Sequence, residues 1–115
     1  MTYKTISVRD QDQYKIVEVV EKRVYLTVTE IFKEELLSVV EQGNLKIIVD
    51  LNQVDVMNSS GLGVLILLRD ILKKRGGVVK LTNLQPLLLD IFSRMKLDIL
   101  FQVYKSNEEA LVAEA

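Results

Sequence analysis

Apolar and polar positions change their period several times along this chain, and each change marks an element. Thr5-Ile6-Ser7-Val8 and Tyr14 to Val20 carry β-branched residues on either side of the polar stretch Asp10-Gln11-Asp12-Gln13, which reads as an opening hairpin. From Thr29 to Gln42 the apolar residues Ile31, Phe32, Leu36, Val39 and Val40 recur at helical spacing. Glu30, Lys33, Glu34 and Glu41 take the other face, and Gly43-Asn44 supplies the stop. Leu45 to Leu51 is almost continuously apolar and β-branched, as expected of a strand covered on both faces. A helix from about Ser60 to Lys74 follows, ended by Arg75-Gly76-Gly77, then a strand at Val78 to Thr82. Leu87 to Met95 reads as a third helix with Pro86 in its first turn, and Ile99 to Tyr104 as a last strand. A terminal helix begins near Ser106 or Asn107, either of which suits a cap. Between the hairpin and the first helix, Arg23 to Thr29 alternates enough to pair with Tyr14 to Val20. The preferred reading is the first hairpin, with Arg23 to Thr29 as a turn leading into the helix.

Strands alternating with helices over 115 residues predict one α/β domain spanning 1–115. The expected architecture is a mixed sheet of about four or five strands, packed mainly on one side by about four helices joined through right-handed crossovers. Composition narrows what such a domain does. With 15 basic and 16 acidic residues and no charge blocks, the net charge is -1, which offers no basic face for nucleic acid. The chain has no cysteine and no histidine, so disulfides, thiolate chemistry and the commonest metal ligand and general base are absent. Met1 to Asp12 lacks the apolar core of a signal peptide. The longest apolar run, Val64 to Leu68, falls far short of the roughly 20 residues that span a bilayer. These features predict a cytoplasmic protein without membrane insertion.

The informative stretch is the junction after the central strand, Asp50 to Gly63, where a buried strand empties into a short polar loop and a helix begins at two serines and two glycines. A serine there can accept a hydrogen bond from a free backbone N–H and cap the helix. A phosphate would also find support at such an N-terminus. On pattern alone, a plain capped helix with tight packing stands equally open.

Val54-Asp55-Val56-Met57-Asn58-Ser59-Ser60-Gly61-Leu62-Gly63-Val64-Leu65 resembles the D-S-[SA]-G-L-G signature of STAS domains in anti-sigma factor antagonists. Ile47 to Leu51 is similar to that family's central strand, and Lys73 to Leu81 to its helix–GG–strand continuation. The likeness runs on through Leu84-Gln85-Pro86, Ile91-Phe92 and Leu97 to Glu108-Glu109-Ala110-Leu111. The resemblance implies a bacterial partner-switching protein, not an enzyme and with no cofactor. A serine protein kinase that is also the anti-sigma factor would bind the unmodified form and release a sigma factor. Phosphorylation of Ser59 would end that complex, and a phosphatase would reset it. Met57, Asn58, Ser59, Ser60, Gly61 and Leu62 are the implied partner-binding residues. Two positions depart from the family pattern: Asn58 stands where aspartate is usual, and Glu21-Lys22-Arg23-Val24 replaces a G-x-[LIV]-D turn. An alternative implied function is a non-switching STAS interaction subunit of a transporter or larger signalling assembly.

Other candidates have plainer explanations. Asp50 and Asp55 suggest paired carboxylates, but without histidine or a third ligand they read as solvated or capping groups, so catalytic and metal sites are expected to be absent. Gly61-x-Gly63 lacks the third glycine of a dinucleotide fingerprint, Ile66 standing there. Lys73-Lys74-Arg75 complements a helix C-terminus, and the faces Leu62, Leu65, Ile66 and Leu87, Leu88, Ile91, Phe92 read as core.

Overall fold

A computed structural model describes residues 2–113, so the predicted span 1–115 runs past the described residues at both ends. The strands β1 (Ile6–Gln11) and β2 (Tyr14–Val19) form the expected antiparallel hairpin, turned at Asp12, whose φ is 55°. After a two-residue strand β3 (Arg23–Val24) the chain enters α1 (Thr27–Glu41), which leads to β4 (Lys46–Asp50). A second short strand, β5 (Val56–Met57), precedes α2 (Ser59–Lys74), then β6 (Val78–Thr82) and α3 (Pro86–Arg94). A 3-10 turn at Leu97–Ile99, β7 (Gln102–Tyr104) and α4 (Asn107–Val112) complete the fold. The main sheet runs β1-β2-β4-β6-β7, with only β1–β2 antiparallel. It is the mixed five-stranded α/β sheet expected, with four helices.

The period of two in β4 and β6 sorts their side chains between two layers. Ile47, Val49, Val79 and Leu81 join the large core beneath α1, α2 and α3, with Phe32, Leu36, Leu65, Leu68 and Phe92. Ile48 and Ile16 point the other way, into a small cluster with Ala110 of α4. Lys80 shares that second face and is fully buried. Its ammonium donates to the carbonyls of Ala110 at 2.7 Å and Ala113 at 2.8 Å, and it lies 5.0 and 5.4 Å from the ring centres of Tyr14 and Tyr104. The cation thus occupies the negative end of α4, between two aromatic faces. Ser106 caps the other end, its hydroxyl accepting from Glu109 N–H at 3.1 Å. Gly77 lets β6 begin close under the β4 strand: a Cβ there would stand 2.3 Å from the Leu45 carbonyl oxygen.

Four expectations need correction. Arg23–Val24 is neither a partner of β2 nor merely a turn; it pairs in parallel with Val56–Met57, so hydrogen bonds from a distant segment hold it. The last strand starts at Gln102, because Lys96 turns left-handed at φ 57° after α3 and the chain spends Leu97–Ile99 in a 3-10 turn. Leu87 is 58% exposed, so only Leu88 and Phe92 of the α3 face are fully core, with Ile91 packed against it. Asp50 is neither solvated nor a cap: it is buried and takes hydrogen bonds from three donors, described below.

Candidate functional site

The junction after β4 is built around backbone hydrogen bonds between two chain segments remote in sequence. The Lys22 carbonyl accepts from Asp55 N–H at 2.7 Å and Val56 N–H at 3.1 Å, and the Val24 carbonyl from Asn58 N–H at 3.2 Å. This clamp fixes the residues immediately before α2. Met57 then turns inward and is 3% exposed, with its Cγ against Gly61: a Cβ on Gly61 would come within 2.5 Å of it and 3.2 Å of Val24 Cγ1. Gly61 is therefore required by packing between β5, β3 and α2. Leu62 is buried beside it.

The cap of α2 is Asn58. Its Oδ1 accepts from Gly61 N–H at 3.0 Å, and its carbonyl from Leu62 N–H at 3.0 Å. The expectation that a serine caps this helix is thus corrected. Three cap-forming residues stand in a row, and the β3–β5 clamp sets the register at the first of them. The consequence falls on Ser59 and Ser60, which occupy the first turn, exposed and with no side-chain hydrogen bond among the described residues. No acidic residue lies in that turn, and Asn58 brings no carboxylate, so the positive end of α2 is not offset from within the motif.

Of the six predicted partner-binding residues, the fold brings Asn58, Ser59 and Ser60 to the surface together and places Met57, Gly61 and Leu62 beneath them. Tyr25, Leu26 and Val56, in or next to the segments that this clamp joins, are 36%, 77% and 40% exposed. No local signal marks them, because their proximity comes from the β3–β5 pairing.

At the C-terminal ends of β4 and β6 lies a polar network. Asp50 accepts from Asn52 N–H at 3.0 Å, Asn83 Nδ2 at 3.1 Å and Asn107 Nδ2 at 3.0 Å, while Thr82 Oγ1 donates to Asn107 Oδ1 at 2.6 Å. Through three fixed donors, Asp50 ties α4 to the ends of β4 and β6; Asp55 stays exposed. Among the described residues no group of three or more acidic side chains is placed to hold a metal ion, and no helix is long and apolar enough to cross a membrane. A surface cavity of about 550 Å³ between β1 and α1 is lined by Tyr3, Val8, Lys15 and Gln42 among others and includes none of the signature residues.

The family model for the STAS domain matches residues 5–110. The chain belongs to the STAS domain family. No curated protein matches it significantly in sequence. Among solved structures, this STAS domain is similar to an anti-sigma-factor antagonist (STAS) domain protein from Planctomyces limnophilus, at TM-score 0.84 and 24% identity, covering 96% of this chain and 97% of that one. The Bacillus cell fate determinant SpoIIAA in its phosphorylated form superposes at TM-score 0.69 with 18% identity, covering 92% and 96%. A murine Solute Carrier 26 anion transporter contains a matching region at TM-score 0.76 and 19% identity, covering 90% of this chain but 18% of the transporter. At these identities the structures establish that the STAS fold is shared.

Proposed function

We propose that this STAS domain is an anti-sigma factor antagonist whose unphosphorylated form binds an anti-sigma factor with serine kinase activity, thereby releasing a sigma factor. Phosphorylation of Ser59 by that kinase ends the complex, and a phosphatase restores it. The observation that carries the reading is the state of Ser59: exposed, free of side-chain hydrogen bonds, and held at the first position of α2 by the Asn58 cap. The hydroxyl is thus available to a kinase without breaking any contact of the fold. A phosphate there brings roughly two negative charges to a surface that had presented a neutral hydroxyl. The positive N-terminus of α2, which no acidic residue offsets, tolerates those charges within the domain, whereas a docked partner built around the hydroxyl meets repulsion and desolvation. The switch therefore acts on the complex rather than on the fold, and the antagonist supplies no catalytic group of its own. Met57, Gly61 and Leu62 serve by holding Asn58, Ser59 and Ser60 in place from below.

The test is intact-mass analysis, with the site mapped by fragmentation, after incubation with ATP and each purified anti-sigma serine kinase of the source organism. One added phosphate on Ser59, and loss of kinase binding in Ser59→Asp, are expected. A complex that forms equally well with Ser59→Asp and takes up no phosphate would establish the second reading, a constitutive interaction subunit. That reading is favoured by one observation, Asn58 in place of the usual aspartate beside the acceptor.

A further inference from the structure

The strands β6 and β7 are parallel neighbours, and the segments that leave them part to opposite faces of the sheet. After β6 the chain turns at Asn83, left-handed at φ 59°, and enters α3, whose Leu88 and Phe92 join the large core. After β7 it crosses to the other face, where Ala110 of α4 packs with Ile16 and Ile48. Connections that diverge in this way leave a crevice outside the carboxyl ends of the strands, and open α/β sheets take their ligands there.

In this chain the crevice is a cavity of about 420 Å³, lined by Asn83, Leu84, Leu89, Val103, Tyr104 and Lys105. Small-molecule sites commonly measure roughly 300–1,000 Å³. Val103 packs against the large core and Tyr104 against the small cluster, so the cavity straddles the end of the sheet. Its frame is fixed: Asn83 N–H donates to the Tyr104 carbonyl at 3.2 Å, and Asn83 Nδ2 to Asp50 at 3.1 Å. Leu84, Leu89, Val103 and the Tyr104 ring leave the lining chiefly apolar, and Leu89 stands 46% exposed. The one charged residue of the lining is Lys105, exposed and without an ion pair among the described residues. Glu109 accepts from the Lys105 backbone N–H at 3.3 Å, and no acidic residue stands in the first turn of α3.

We propose that this crevice binds a small organic monocarboxylate, its apolar body held between Leu84, Leu89, Val103 and Tyr104 and its acid group paired with Lys105 at the rim. A phosphate or a nucleotide is poorly matched, because it calls for several converging donors and the lining offers a single cation among apolar side chains. None of the signature residues lines the cavity, so the site is separate from Ser59 and does not depend on the antagonist reading.

The test is titration of the full isotope-labelled chain with octanoate and with 3-phenylpropionate, each kept below its aggregation limit and followed by NMR shifts. Saturable shifts centred on Leu84, Leu89, Val103 and Tyr104 are expected with at least one of the two acids. Lys105→Gln, at an exposed position, should weaken that acid about fivefold and leave binding of the matching neutral amide unchanged. Leu89→Glu, which sets a charge in the apolar wall, should remove binding of acid and amide alike while the melting temperature stays near wild type. Absence of saturable binding for both acids would overturn the site, as would saturable shifts centred elsewhere, such as the cavity at Tyr3, Val8 and Lys15. An acid that binds no better than its amide, or that ignores Lys105→Gln, would overturn the ligand class.

Discussion

On one face of the sheet, Ile47, Val49, Val79 and Leu81 meet three helices through a core of some of the largest side chains in the molecule. On the other face, alternate residues of the same two strands meet a single six-residue helix through Ile48, Lys80, Asp50 and Thr82. The first face is held by apolar area and needs no directional contact. The second offers little apolar area, and a helix as short as α4 does not persist in water by itself. Its position is set by polar groups at both ends: Asp50 and Thr82 hold Asn107 at the start, and Lys80 holds the last carbonyls. Burial makes those groups effective, since a desolvated donor or acceptor that loses its partner costs more than the pair contributed. The large core keeps the domain folded, and the small polar face decides where its last helix lies.

That contrast is open to attack from either side. Phe32→Ala, on the first face, should cost about 3–5 kcal/mol and act on the whole molecule, read as a fall in the urea midpoint with all probes moving together. Lys80→Met should cost about 1–3 kcal/mol, because the carbonyls of Ala110 and Ala113 lose their donor while the apolar stem is kept. Its signature is local: hydrogen exchange speeds up in α4 while amides of α1 and α2 stay protected. Loss of protection throughout the molecule would show that the second face is part of the same cooperative unit. Asp50→Asn should cost about 1–2 kcal/mol, since an amide cannot accept from all three donors, with α4 again the first element to exchange. The smallest change is Asn58→Asp, which keeps a good cap on a first-face helix and adds a charge at its positive end. A gain of about 0.3–1 kcal/mol at low salt, fading as salt is added, is expected in thermal melts.

The two faces also differ in how far the residue pattern reveals them. Helical spacing such as Phe32, Leu36, Val39 declares the first face, because periodicity is the direct imprint of burial, while the run Ile47 to Val49 shows only that its strand is covered on both faces. The second face is written in isolated polar residues, and Lys80 inside Val78 to Thr82 looks like ordinary strand alternation until Tyr14, Tyr104 and α4 surround it. The candidate site was legible in the same uneven way. The Ser59 motif stands out locally and through its family likeness. The choice of Asn58 as cap depends on a pairing with Arg23–Val24 that no neighbouring residue announces.

The Asn58 cap has one further consequence. Ser59 is met by any enzyme as part of a helical turn, shaped by Met57, Gly61 and a strand from elsewhere in the chain, and not as an extended peptide. A synthetic segment covering the motif would carry every letter of it and none of that geometry. Under the switch proposed above, modification at this serine is conditional on folding, since an unfolded chain lacks the helical turn that presents it.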